Sequence, residues 1–186
     1  MDVSGATVGS LCTADFPGPS CSLFSGGWSA NGSAGTTVNA TNASLPKITA
    51  GSERSTPAPT HAIQIATLPT AESWAVATAG RDPHGAAAIE VEPGRNYVLQ
   101  GFIRTNCAKS GSVSVRASFA RFDSTPSGTA GGDNTTLLDL PARLVGCPGW
   151  EPLMLPVTAP GDAMRLALHF GATGEAALSV YSLALR

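Results

Sequence analysis

The residues best suited to acid–base or metal chemistry are three histidines, His61, His84 and His169. They are widely separated, and no short-range spacing joins them as zinc ligands. His84 lies in the turn-like Asp82-Pro83-His84-Gly85, and His169 on the more polar side of an alternating segment. Serine is abundant, but no Gly-x-Ser-x-Gly elbow occurs. A Ser–His–Asp hydrolase would have to assemble wholly in space, with His84 or His169 as its base. Glu90 and Glu92 alternate on one strand face, whereas glycosidase carboxylates oppose each other across a cleft. Gly131-Gly132-Asp133-Asn134 lacks the lysine and following helix of a phosphate loop. These residues point to no catalysis, no metal and no cofactor.

The aromatic residues suggest binding instead. Sugar rings stack their C–H faces on flat aromatic side chains, and the candidates are Trp28, Trp74 and Trp150. Trp74, between Ser73 and Ala75, is the strongest of the three as an exposed plane. Trp150, at the start of a strand, is expected to fill one end of the core. Asn-x-Ser/Thr triplets at Asn31, Asn39, Asn42 and Asn134 are what a chain rich in these residues produces by chance.

Four cysteines, Cys12, Cys21, Cys107 and Cys147, lack metal-knuckle spacing. Cys12 and Cys21 flank Pro17-Gly18-Pro19 and could close a small loop. Cys107 follows one expected strand and Cys147 precedes another, so those strand ends could be neighbours. Two disulfides or four buried thiols are both compatible with the sequence.

Charged residues form only 13% of the 186 positions, and the net charge is −2. Lys47 and Lys109 are the only lysines, and the arginines are scattered, so a nucleic-acid footprint is absent. No apolar run reaches the roughly 20 residues that cross a bilayer as a helix. The start, Met1-Asp2-Val3-Ser4-Gly5-Ala6, is acidic and not of signal-peptide type. A cytoplasmic protein, a trimmed chain, or a particle component released by lysis would fit it.

These side chains must be positioned by strands. Gly and Pro recur throughout, 21 and 14 times, and helical periodicity is nearly absent. Alternation dominates. Val113, Val115, Ala117 and Phe119 form one apolar face, and Met164, Leu166, Leu168 and Phe170 another. Further strands are expected over Leu23–Trp28, Thr36–Ala40, His61–Ala66, Trp74–Ala79, Ala87–Val91, Asn96–Thr105, Trp150–Val157 and Ala177–Leu185. Glu92-Pro93-Gly94-Arg95 and Pro160-Gly161-Asp162 supply tight turns. Tyr97, after the first of these, can bury its ring while its hydroxyl reaches a partner. Gly51–Thr60 and Asp123–Thr136 read as loops. The pattern predicts an all-β sandwich of two antiparallel sheets over residues 23–186, with residues 1–22 as an N-terminal arm or edge strand.

Several landmarks fall in a known order: Gly26-Gly27-Trp28-Ser29, then Ala62-Ile63-Gln64-Ile65-Ala66, then Ile89-Glu90-Val91-Glu92-Pro93-Gly94-Arg95-Asn96-Tyr97-Val98-Leu99, then Gly149-Trp150-Glu151, then Leu178-Ser179-Val180-Tyr181-Ser182-Leu183-Ala184-Leu185. This order resembles the galactose-binding-like jelly rolls, which include many carbohydrate-binding modules and occur in bacteriophage surface proteins. Where such modules often carry acidic calcium ligands on the last strand, this chain has Ser182 and Ala184, so no calcium is expected there. The resemblance implies a jelly-roll β-sandwich without enzymatic activity. It would serve as a capsid decoration or tail component of a virion, assembled in the host cytoplasm. Its partners would be shell or tail proteins, copies of itself (a trimer, for instance) and a surface glycan. The alternative is an extracellular carbohydrate-binding module of a secreted glycoside-active enzyme.

Overall fold

The computed structural model describes residues 9–10, 21–25, 28–42, 61–79, 89–106, 110–121, 134–147 and 149–186. Among these, thirteen strands occur: β1 Gly9–Ser10, β2 Cys21–Ser25, β3 Trp28–Gly32, β4 Thr37–Asn42, β5 His61–Ala66, β6 Trp74–Ala79, β7 Ile89–Glu90, β8 Asn96–Thr105, β9 Ser112–Arg121, β10 Asn134–Pro141, β11 Glu151–Thr158, β12 Ala163–Thr173 and β13 Ala177–Leu185. One sheet has the order β1-β4-β5-β13-β8-β11; the other runs β10-β9-β12-β6-β3-β2, with β7 also on β12. All pairings are antiparallel.

Period-two patterning drives this architecture. Val113, Val115, Ala117 and Phe119 of β9 are buried, and so are Leu166, Leu168 and Phe170 of β12. They share one interior with Ile63, Ile65, Leu99, Ile103, Leu178 and Val180 of the other sheet. Each fully buried Leu, Ile or Phe contributes about 1.5–3 kcal/mol by leaving water. β6 touches β4 and β5 across the sandwich, and it offers only Ala75, Ala77 and Ala79 to the bulkier Val38, Ile63 and Ile65. Small residues facing large ones let the layers close without voids.

The turns behave as their residues require. Gly94 takes φ +72° in the Glu92–Arg95 turn, a conformation that favours glycine. The Tyr97 hydroxyl then accepts the Glu92 amide at 2.7 Å while its ring packs on the core, as expected. A short 3-10 turn, Ala142–Leu144, is tied to the end of β8. The buried Thr105 hydroxyl lies 2.6 Å from the Ala142 carbonyl and 2.8 Å from that of Val145. Gly146, with φ +59°, sits so close to β8 that a Cβ would stand 2.5 Å from the Ile103 carbonyl oxygen. β11 closes one edge of its sheet, and both its prolines, Pro152 and Pro156, are exposed there.

Four expectations need correction. The segment expected as one strand, Leu23–Trp28, is split between β2 and β3, which pair with each other. The end of the expected loop 123–136 is strand: Asn134–Thr136 opens β10, and residues 123–133 lie outside the described part. Met164 is 40% exposed, because a register irregularity between Ala163 and Arg165 turns it out and gives its inward place to Ala163. Trp150 does not cap the main core; it packs on Tyr181, outside the shared apolar cluster. Gly51–Thr60 and most of the expected arm also lie outside the described residues, although Gly9–Ser10 pairs with β4 at a sheet edge.

Candidate functional site

The same alternation that buries one side of each strand builds a polar face on the other. On the outer side of the seven-stranded sheet, β9 presents Ser112, Ser114, Arg116 and Ser118, β12 presents Ala167, His169, Gly171 and Thr173, and β6 presents Trp74, Val76 and Thr78. Register aligns them in rows. Trp74, Thr173 and Ser112 form the first, Val76, Gly171 and Ser114 the second, and Thr78, His169 and Arg116 the third. β3 adds Asn31 beside Val76, and β10 adds Asp139 beside Ser114 and Thr136 beside Arg116.

Trp74 stands at one end of this face and is 36% exposed. Its backbone is clamped. The Ser33 hydroxyl accepts the Trp74 amide at 3.0 Å, and the Ser33 amide donates to the Trp74 carbonyl at 2.8 Å. Ser33 itself belongs to a turn closed by the Thr36 hydroxyl, with Gly35 at φ +79°. A mobile backbone would lose freedom on binding; one already held loses less.

Gly171 is the low point of the face. A Cβ there would meet the Ser114 hydroxyl oxygen at 2.7 Å. Around it, side chains hold one another in place. Ser112 and Thr173 hydroxyls lie 2.6 Å apart, and His169 is fixed from both sides, its Nδ1 2.9 Å from the Thr78 hydroxyl and its Nε2 2.5 Å from Ser118 Oγ. The Asn31 side-chain oxygen is buried and has no hydrogen-bond partner.

Ser118 and His169 have the separation of a nucleophile and its base. The third member is a neutral Thr78 hydroxyl, which cannot stabilise an imidazolium as a carboxylate does. An oxyanion hole needs free amides, and the flanking backbone is engaged in the pairings of β9, β12 and β6. The arrangement orients an imidazole on a surface. Among the described residues, no group of three metal-ligating side chains converges.

A second aromatic cluster lies on the outer side of the six-stranded sheet. Phe102 and Tyr181 are cross-strand neighbours with ring centroids 6.3 Å apart, and Trp150 is 5.9 Å from Tyr181. The Arg104 guanidinium sits 4.8 Å from the Trp150 ring centroid, occupying one face of that ring. Trp28 opens β3 and its backbone pairs with Ala79; its side chain lies outside the described part. Cys147 is disulfide-bonded. Cys12 and Cys107 are outside the described residues, as are His84 and the side chains of His61 and Cys21.

The sequence could not bring Arg116, His169, Thr78 and Asp139 together, since they lie on four strands far apart in the chain. The usable signal was the polar half of each alternating run, such as Ser112, Ser114, Arg116 and Ser118, read as a surface in its own right.

No family model matches the sequence, and no curated protein matches it at the sequence level. Solved structures do resemble the fold. The enzymatically active domain of bacteriophage CBA120 tailspike protein 4 superposes with a TM-score of 0.59 at 16% identity, covering 96% of this chain and 21% of that one. A structure described as explaining the promiscuous specificity of carbohydrate-binding modules from the β-sandwich superfamily gives 0.55 at 14% identity, covering 97% and 63%. The carbohydrate-binding and catalytic modules of the Clostridium thermocellum N-terminal endo-1,4-β-D-xylanase 10B, complexed with xylohexaose, give 0.53 at 12% identity, covering 90% and 27%. This chain thus spans less than two thirds of the length of each. Its strand order and these likenesses together make it a jelly-roll β-sandwich of the kind found in carbohydrate-binding modules.

Proposed function

We propose that this chain is a non-catalytic binding domain that recognises a saccharide across the outer face of its seven-stranded sheet. The observation that carries the reading is Trp74, exposed and backbone-clamped at the end of a face lined by short hydroxyl side chains and floored by Gly171. An aromatic plane beside fixed polar groups is what a sugar needs, because its C–H faces stack and its hydroxyls exchange hydrogen bonds. The xylanase structure, about a quarter of which superposes on this fold, was solved with xylohexaose. The test is a glycan array followed by calorimetry on the best ligand. Trp74→Ala is expected to weaken binding by roughly tenfold or more with the fold intact. An array blank for the wild-type chain, or full affinity in Trp74→Ala, refutes the reading.

The setting we propose is a bacteriophage particle surface, which the likeness to a tailspike domain favours. There the domain would hold shell or tail proteins and other copies of itself. Co-sedimentation of the purified chain with particles is the expected result. Failure to bind particles would leave the secreted-enzyme module as the better setting, which the xylanase likeness supports.

A further inference from the structure

Building on that reading, we infer that the face selects an acidic saccharide, with Arg116 meeting the ligand's carboxylate or sulfate. Arg116 is exposed in the middle of β9, directly across from His169 on one side and Thr136 on the other. Among the described residues its side chain makes no ion pair and no hydrogen bond. Its donors are thus uncommitted among the described residues, and a guanidinium fork matches a carboxylate or sulfate edge better than any neutral hydroxyl. His169, its cross-strand neighbour, has both ring nitrogens within hydrogen-bond distance of hydroxyls, those of Thr78 and Ser118.

The charged groups that share this face have distinct places. Asp139 lies in the adjacent row beside Ser114 and forms no ion pair with Arg116. A carboxylate so placed accepts sugar hydroxyls, leaving Arg116 to the anionic group. Arg165 and Glu90 are register partners further along β12, beyond Ala167. From strand rise and spacing, Arg116 and Trp74 are about 16 Å apart on the diagonal, so a short oligosaccharide can stack on one end and present its charge to the other. Two anchors of different chemistry at that separation also fix the direction in which the chain of sugars lies.

The experiment compares matched ligands on the intact chain. Each pair shares a backbone and differs in charge: oligogalacturonates with their methyl esters, sialyllactose with lactose, and sulfated with unsulfated oligosaccharides. The wild-type chain is expected to prefer the charged member of its best pair by roughly tenfold to a hundredfold, a preference that shrinks as salt is raised. Arg116→Gln should abolish that preference while the neutral affinity and melting temperature hold. Arg186→Gln, on the other sheet, should leave it intact. Equal binding of charged and neutral members, or a preference that survives Arg116→Gln, overturns this inference and leaves saccharide binding standing. Binding of no glycan at all overturns both.

Discussion

A single-step change along β12 tests the alternation on which everything else is built. Phe170 and His169 are adjacent in sequence and point to opposite sides of the sheet. Phe170 is fully buried, across from Val115 on β9 and Ala77 on β6. Truncation to alanine removes its transfer energy and leaves a cavity that flanking strands cannot close, about 3–5 kcal/mol in total. Unfolding entropy of about 2.1 cal/mol/K per residue over 186 residues gives about 0.39 kcal/mol/K, so the melting temperature should fall by about 8–13 °C. His169→Ala instead removes two hydrogen bonds to hydroxyls from a half-exposed ring, about 1–2 kcal/mol and about 3–5 °C. Differential scanning calorimetry of both variants, checked by urea unfolding, measures the contrast. If His169→Ala costs as much as Phe170→Ala, or if Phe170→Ala costs under about 1 kcal/mol, the assignment of inner and outer faces is wrong.

Two further outcomes concern the join between β8 and the 3-10 turn. Thr105→Val keeps the shape of a buried side chain but strips the hydroxyl that serves both the Ala142 and Val145 carbonyls, and urea titration should record a loss of about 1–3 kcal/mol. Unchanged stability would refute that anchoring role. The disulfide partner of Cys147 is expected to be Cys107, two residues beyond Thr105, because Gly146 rests against Ile103 and Arg104. Non-reducing peptide mapping should recover that pair. By chain entropy, closing a loop of about 41 residues is worth about 4 kcal/mol, so reduction should lower the melting temperature by about 10 °C. Recovery of Cys147 joined to Cys12 or Cys21 would refute the pairing.

Most of the sandwich was legible because buried faces repeat every second residue. β5, β6, β8 and β13 have the bounds that alternation and turn residues predict. Two of the misses, in β10 and β12, share one physical origin, which is broken alternation. In β10 Leu137 falls inside a register shift between Thr136 and Leu138, so the run loses its period and its start reads as the end of a loop. In β12 a similar irregularity moves Met164 outward. Leu23–Trp28 reads as one strand, but its ends belong to β2 and β3, which pair antiparallel. For the proposed site, Trp74 is visible in the sequence because an aromatic side chain between small residues stands out locally. Arg116, His169 and Asp139 were not found as a group, since their proximity is created by strand order, which no local pattern encodes.

The paired prolines of β11 bear on how copies of this molecule can meet. Successive residues of a strand aim their amides to opposite sides, so Pro152 and Pro156 share a side with Met154 and Thr158. A proline facing β8 would interrupt their ladder, so this side is the open one. A strand arriving from another molecule would find two of four donors missing and no continuous template to zip onto. Self-association by strand addition at this border is thereby discouraged, and a partner meeting it must rely on side chains rather than on a shared ladder.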